Sequence, residues 1–405
     1  FTRSTTGTAL AKISYGEELV TNGTFTDNID GWSSQLSAVL SHTGSGISVQ
    51  SAGGNSLAYQ NITADLSKNY IITADLVSGA GYISAGNAFY NFTNGKLHAI
   101  LPAGRANNKL DIAPSANTTA IFDNISVKEA LYDQPDGTLQ LFNHPINKPR
   151  IEYDASGNCL GLLVEEARTN IISNSEALLV SSNRAIAESS ISPTGEQTAQ
   201  TWRVNGSASA NPYWYGSANI VSGTTYTCSV FVRLPTSGPT VESRYVKLTS
   251  QTRMQAGAAV FDLQEGTVVS SNMLSESITP VGNGWYRLSA TNTATSSGAS
   301  FSFILWPCIN AAGDLYVISA NDDGKALLET FGMQTEAGSF PTSYIPTSGS
   351  AVTRAADVAS LAVSEFGYNQ DQGTVVVSGH YTGLGNLGTS GVFELNQAVT
   401  APNGL

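Results

Sequence analysis

Apolar and polar positions alternate with a period of two along most of this chain. In Tyr70-Ile-Ile-Thr-Ala-Asp-Leu-Val77, the residues Tyr70, Ile72, Ala74 and Leu76 share one face. In Tyr226-Thr-Cys-Ser-Val-Phe-Val232 the corresponding set is Tyr226, Cys228, Val230 and Val232. Side chains alternate across a strand, so such runs predict half-buried antiparallel strands. Similar runs over 245–248, 259–263, 285–290, 301–306 and 374–378 are bounded by Gly, Asn, Ser and Pro clusters. The chain shows no sustained 3.6-residue period. The pattern predicts an all-β protein built from sandwiches or barrels.

Two stretches read as versions of one unit. The first opens with Leu19-Val-Thr-Asn-Gly-Thr-Phe25 and Asp30-Gly-Trp32 and closes with Ala120-Ile-Phe-Asp-Asn-Ile-Ser-Val127. The second opens with Ala167-Arg-Thr-Asn-Ile-Ile172 and closes with Ala326-Leu-Leu-Glu-Thr-Phe-Gly-Met333. Strict alternation puts Ile121, Asp123, Ile125 and Val127 on one face of the first closing strand. It puts Leu327, Glu329, Phe331 and Met333 on the matching face of the second. Each strand then carries an acid at a core position. A buried carboxylate needs a partner, a proton or a metal. One resolution is a Ca²⁺ held by the acid and by backbone carbonyls near the opening strand. The other places the acid at the rim of the sandwich, accepting hydrogen bonds.

Composition narrows the function. Charged residues are only 12% of the chain, and the net charge is −12 with 19 Lys and Arg scattered along it. Nucleic-acid binding needs clustered cations, so it is excluded. The chain has no run of about 18 apolar residues, hence no expected membrane-spanning helix. No charged-then-apolar leader follows Phe1, and a longer product is expected to continue past Leu405. The three cysteines, Cys159, Cys228 and Cys308, are far apart, which argues against a disulfide framework or a zinc site. Cys228 sits in a strand-like alternation and reads as a small core residue.

Catalytic signatures are missing from the sequence. The four histidines, His42, His98, His144 and His380, follow no metal-ligand spacing, and GxSxG, HExxH and P-loop motifs do not occur. Glu165 and Glu166 are neighbours, so in a strand they point to opposite faces and cannot flank one glycosidic bond. Asp322-Asp323-Gly324 reads as a turn. A non-enzymatic protein is expected. Sugar binding is the more plausible chemistry, because pyranose faces stack on exposed aromatic rings. Asn211-Pro-Tyr-Trp-Tyr-Gly216 supplies the candidates Tyr213, Trp214 and Tyr215. Either Trp214 anchors the core while Tyr213 and Tyr215 face outward, or all three pack the sandwich or a subunit interface. Tyr82, Phe89 and Tyr90 are lesser candidates. Trp32 reads as core, and Trp285 and Trp306 as core or interface.

Several motifs together resemble a set common in phage tail-fibre and other virion proteins. They are Phe1-Thr-Arg-Ser-Thr-Thr-Gly-Thr8, Pro149-Arg-Ile-Glu-Tyr-Asp154 and Gly161-Leu-Leu-Val-Glu-Glu-Ala-Arg-Thr-Asn170. Gln334-Thr-Glu-Ala-Gly-Ser-Phe-Pro-Thr-Ser-Tyr-Ile-Pro346 and Thr353-Arg-Ala-Ala-Asp-Val358 complete the set. The resemblance covers residues 1–16 and about 130–405. Residues 17–129 resemble a carbohydrate-binding module of the cellulase-associated jelly-roll type, through Asn22-Gly-Thr-Phe25, Gly31-Trp32 and Phe122-Asp-Asn-Ile-Ser-Val127. In such relatives the acid matching Asp123 helps bind a structural Ca²⁺ with groups near the opening strand. That implies Asn22 and Asp123 as ligands, with Glu329 as the counterpart in the second unit.

The resemblance implies tandem antiparallel β-sandwich (jelly-roll) modules joined by short linkers. The expected parts are an N-terminal docking segment over 1–16, a carbohydrate-binding-like sandwich over 17–129 and a hairpin linker over 130–166. A second sandwich is expected over 167–347, then a connector and the start of a laminin-G-like or concanavalin-like domain over 348–405. It also implies a homotrimeric fibre, spike or appendage in the virion, contacting other virion proteins and host surface polysaccharide. The alternatives are an architectural capsid or tail decoration, and a non-catalytic part of a glycan depolymerase tailspike or secreted glycanase.

Overall fold

A computed structural model describes residues 2, 7–51, 56–101, 104, 108–131, 134, 136–144, 147, 149–154, 156–180, 185–206, 211–236, 238–300, 302–360 and 365. Among these residues there are 28 strands and no α-helix. The protein is all-β, as the alternation predicts. The runs at 374–378 and His380 lie outside the described residues.

The first unit is built on a 10-stranded sheet, two strands of which, Gly7–Glu18 and Thr138–His144, form the ribbon described below. Its spine, Tyr70–Ala85, pairs along one edge with Ala88–Leu101. On the other edge it meets Thr119–Leu131 in its first half and Lys109–Pro114 in its second. The change of partner falls at Gly79, whose φ is +90° and where a Cβ would stand 2.5 Å from the Thr119 carbonyl oxygen. Only glycine takes that conformation so close to another backbone without strain. The sheet thereby divides into two limbs around one core. Ile47, Val49, Ala120 and Phe122 come from one limb, and Ala58, Leu110 and Ile112 from the other. Phe25 and Trp32 of the opening loop close that core, their rings 5.6 Å apart.

The second unit is a β-sandwich of two six-stranded sheets. The front sheet runs Leu179–Val180, Trp214–Tyr215, Phe303–Cys308, Tyr245–Ser250, Gly257–Asp262, Thr267–Ser271. The back sheet runs Ala185–Ser190, Ala199–Val204, Ala326–Ala337, Thr225–Arg233, Tyr286–Thr293, Ser275–Pro280. Trp214, Val246, Leu248, Phe261 and Leu305 of the front sheet share one core with Trp202, Cys228, Val230, Leu288, Leu328 and Met333 of the back sheet. Face-to-face packing of alternating inward residues is what defines a sandwich.

A two-stranded ribbon lies between the units. Gly7–Glu18 pairs with Thr138–His144 through seven register positions. Leu10 and Leu141 pack on Phe231, Val281, Trp285, Phe331 and Tyr344 of the second unit. Ala11, Ile13 and Phe142 pack with Ile71, Ile100 and Ala130 of the first. In the segment expected as a docking arm over 1–16, the strand is largely buried from Gly7 to Ile13 and exposed at Tyr15. The expected linker over 130–166 likewise contributes the ribbon's other strand. Ala9-Leu-Ala11 is apolar without alternation because both of its faces are covered. The expected connector after 348 also belongs to the second unit at its start, since Val352–Arg354 pairs antiparallel with Arg168–Asn170.

The motifs that carry the family resemblance meet in one buried cluster. Arg150, fully buried, places Nη2 2.7 Å from Glu165 Oε2 and 2.7 Å from Asp357 Oδ2. Arg354 Nη1 reaches the same Glu165 oxygen at 2.6 Å. The other Glu165 oxygen accepts the Ser343 N–H at 2.7 Å. Arg150 Nη1 donates to Ser343 Oγ at 2.6 Å and to the Thr8 carbonyl at 3.2 Å. The backbone adds a reciprocal link, Asp357 N–H to the Glu165 carbonyl at 2.8 Å and Glu165 N–H to Asp357 Oδ2 at 3.1 Å. Two guanidinium groups and two carboxylates cancel in charge. Removing one leaves a buried charge uncompensated, which costs about 3–5 kcal/mol.

Burial pushes the Glu165 carboxyl up, but Arg354, Arg150 and the Ser343 hydrogen bond outweigh it and hold the group below its ordinary value. A carboxyl depressed on folding contributes stability that is fully present above its unfolded pKa, about 4.3. That contribution is lost as pH falls through the folded value. Glu165→Gln is expected to lower unfolding free energy by roughly 3 kcal/mol at neutral pH. It should also flatten the stability loss below about pH 4. Urea titrations of both proteins at a series of pH values check this.

Candidate functional site

The turn that carries Asn22 meets the closing strand two residues past Asp123, where the Ile125 N–H donates to the Gly23 carbonyl at 2.8 Å, while Glu329 belongs to the second unit. In Thr119–Leu131, Asp123 lies opposite Asp75 while Ser126 lies opposite Thr73, so one extra residue interrupts the ladder. Asn124 takes φ +49° at that bulge. A bulge shifts the phase of alternation. Ala120 and Phe122 point into the core before it, and Ile125 and Val127 after it. Asp123 is turned away from the core, half-buried, which corrects its expected place among Ile121, Ile125 and Val127. Its Oδ1 accepts the Asn124 N–H at 2.8 Å, and the Asn124 amide donates to Asp75 Oδ2 at 2.9 Å.

Asn22 shapes the opening turn. Its amide donates to the Asn28 carbonyl, Asn28 Oδ1 and the Asp30 carbonyl at 3.1, 2.9 and 3.2 Å. Its carbonyl accepts Trp32 Nε1–H at 3.3 Å. Glu329 is buried, and Arg233 meets its charge, with Nε 2.6 Å from Oε2. Thr201 Oγ1 donates to Oε1 at 3.1 Å. Both carboxylate oxygens are used by the chain, so burial of Glu329 requires no cation. Among the described residues, no group of three or more His, Cys, Asp or Glu is placed to hold a metal ion.

The aromatic candidates divide by alternation. Trp214–Tyr215 pairs with Phe303–Cys308 on one edge and Leu179–Val180 on the other. Trp214 points inward, is fully buried, and lies 5.5 Å from the Trp202 ring. It is the core anchor and is closed to any ligand, which removes it from the sugar-contact set. Tyr213 and Tyr215 are half-buried, with ring centroids 5.9 Å apart. Trp306 joins them, 4.3 Å from Tyr213. Of the two readings of Trp306, core or interface, its outward direction removes the first. Phe303 and Leu305 enter the core, so alternation turns Trp306 outward. The run Phe303-Ile-Leu-Trp306 is apolar throughout and carries no phase of its own.

Polar groups border the rings. Trp306 Nε1 donates to Thr249 Oγ1 at 3.1 Å, and Gln251 Nε2 donates to the same oxygen at 2.8 Å. Lys247 is directly opposite Trp306 in the ladder, and its Nζ donates to the Gly313 carbonyl at 2.6 Å. Leu179, opposite Tyr215, is exposed. Half-exposed rings edged by a few placed polar groups make a shallow recognition face.

Other hollows offer less. One of about 520 Å³, lined in part by Asp65, Lys68, Tyr70 and Glu129, has its charges engaged by the Lys68–Glu129 ion pair at 2.9 Å. Another of about 280 Å³ includes Tyr59 and Gln60. There the Lys109 ammonium covers the Tyr59 ring at 4.5 Å, and the Gln60 amide donates to the Thr21 and Gly31 carbonyls. Of the lesser candidates, Tyr90 is buried and donates its hydroxyl to the Ile100 carbonyl at 2.8 Å. Tyr82 and exposed Phe89 meet edge-on at 5.8 Å. Burial pushes the Cys228 thiol up to about 12 and the Cys308 thiol up to about 11, so neither is a nucleophile at neutral pH.

No family model and no curated protein matches the chain. Among solved structures, it is similar over 85% of its length to one holding the M60 catalytic domain with the CBM51-1 and CBM51-2 domains from Clostridium perfringens ZmpB. That match has 7% identity and a TM-score of 0.18, and this chain spans 43% of the other's length. The ANX2 ectodomain from Arabidopsis thaliana matches 76% of this chain and 89% of its own, at 10% identity and a TM-score of 0.16. Likeness this loose says nothing about function.

The bulge at Asn124 is open to direct test. A β-branched residue is strained at positive φ, whereas glycine is not. Asn124→Val is expected to lower stability by about 1–3 kcal/mol. Asn124→Gly should stay within about 1 kcal/mol of the natural protein. Thermal unfolding of the two variants checks the difference.

Proposed function

We propose that this chain is a non-enzymatic structural and adhesive component of a bacteriophage virion, a fibre, spike or appendage. Its second sandwich meets host surface glycan on the face formed by Tyr213, Tyr215 and Trp306. One observation carries the adhesive part: three aromatic rings gathered on the outward side of the front sheet, with Thr249, Gln251 and Lys247 beside them. Outward rings contribute little to the core, so a ligand is the reading that gives them a role. The virion part rests on the motif resemblance. Other virion proteins and two further copies of the chain are its proposed partners, and a trimer would multiply a weak sugar contact into useful avidity.

Two other readings lead to different results in one experiment. An architectural decoration retains no glycan, and a part of a depolymerase releases oligosaccharide together with its neighbouring domains. The full chain is applied to an array of bacterial surface polysaccharides, alongside Tyr213→Ala and Trp306→Ala. Each ring is worth about 1 kcal/mol of stacking, so each variant is expected to bind roughly fivefold more weakly. Melting temperatures should stay within a few degrees of the natural protein, because both rings point away from the core. Absence of retained glycan, or variants that bind as well as the natural protein, would refute the adhesive reading.

A further inference from the structure

Building on that reading, we infer that the glycan taken by the Trp306 face is an acidic single chain, with a uronate-type carboxylate seated on Lys247. Lys247 and Trp306 are directly opposite each other in the antiparallel ladder. Their side chains leave the sheet on the same side, with Cβ atoms about 5 Å apart. A pyranose lying against Trp306 and Tyr213 would therefore bring its ring substituents within reach of the ammonium.

The lysine is prepared for such a contact. Its stem runs beside Gly313, where a Cβ would stand 3.4 Å from Lys247 Cδ, and Gly313 has φ +78°. The loop thus accepts the stem closely and fixes it. One N–H is used, by the Gly313 carbonyl at 2.6 Å. An ammonium has three donors, so two remain beyond this single acceptor. Among the described residues, no carboxylate forms an ion pair with Lys247. Asp314, next along the loop, gives its carboxylate to Asn310 at 2.8 Å instead. A cation held in place without a protein anion is poised for a ligand's carboxylate, and its fixed stem reduces the ordering entropy of binding.

Ring geometry restricts the shape of the ligand. The Tyr213 plane is tilted 40° to Tyr215 and 43° to Trp306. Rings at such angles form a corner, not a flat strip. A flat strip suits the parallel chains of an insoluble, crystalline polysaccharide. A corner suits one flexible chain or a branch that bends across it.

The test uses the full chain and a panel of uronic-acid-containing bacterial polysaccharides, each paired with its carboxyl-reduced neutral form. Retention in affinity electrophoresis is measured for the natural protein, Lys247→Met, Lys247→Arg and Trp306→Ala. The expected result is at least tenfold stronger retention by an acidic form than by its reduced partner. That preference should be lost in Lys247→Met, kept in Lys247→Arg, and weakened by added salt. Equal retention of the paired forms, or a preference that survives Lys247→Met, overturns the acidic assignment and leaves glycan binding standing. No retention of either form, or retention indifferent to Trp306→Ala, sinks the glycan reading itself and the inference with it.

Discussion

The fold depends on four charges withdrawn from solvent. Arg150 and Arg354 are held by Glu165 and Asp357, which come from three separate stretches of the chain, around 150, 165 and 354–357. A dry guanidinium is tolerable only with an anion at contact distance. The segments around 150, 165, 343 and 354–357 therefore have to converge, and the Arg150 bond to the Thr8 carbonyl draws in the first strand as well. That convergence explains why motifs separated by as many as 336 residues read as one set. They are a single contact, written in pieces along the chain. A second lock reinforces it. The buried Glu336 carboxylate accepts the Thr342 N–H and Oγ1–H and the Gln334 amide, each at 2.7 Å, while Gln334 Oε1 accepts the Ile345 N–H at 2.7 Å.

This convergence decides which surface is left for a ligand. The ribbon of Gly7–Glu18 and Thr138–His144 covers the outer side of the back sheet, where Phe231, Trp285, Phe331 and Tyr344 are buried. Arg287 reaches through the same side to Ser229 Oγ and the Thr342 carbonyl. The back sheet is thus spent on assembly of the chain. The loop at Gly313 covers part of the front sheet's outer side, over Val260, and Tyr213, Tyr215 and Trp306 stand half-buried on that same side. Trp214 and Trp202 pack beneath it, so the aromatic corner rests on a dense part of the core and its rings are held in register.

Much of this was legible from alternation. Tyr70, Ile72, Ala74 and Leu76 enter one core, and Tyr226, Cys228, Val230 and Val232 the other. Trp214 inward with Tyr213 and Tyr215 outward follows from the same rule. Alternation failed where the backbone slips. One residue in left-handed conformation, Asn124, moves Asp123 out of the core, and no local composition marks it. Long-range partners were equally hidden. The Arg233 that neutralises Glu329 lies 96 residues away in sequence. Burial of residues 9–11 on both faces needs a second unit to supply the other side. Trp306 stayed open between core and interface because a wholly apolar run gives two possible phases, and only its partners in the sheet choose between them.

The convergence of these segments depends on the buried charges acting as one unit, which a double-mutant cycle on Arg150 and Asp357 measures most directly. Unfolding free energies are taken for the natural protein, Arg150→Met, Asp357→Leu and the pair. Each single change should cost about 3–5 kcal/mol, and the pair should cost at least about 2 kcal/mol less than the sum, because it removes a cation and an anion together. Losses that simply add would show that the two residues do not hold each other, and the convergence of these segments would need another cause.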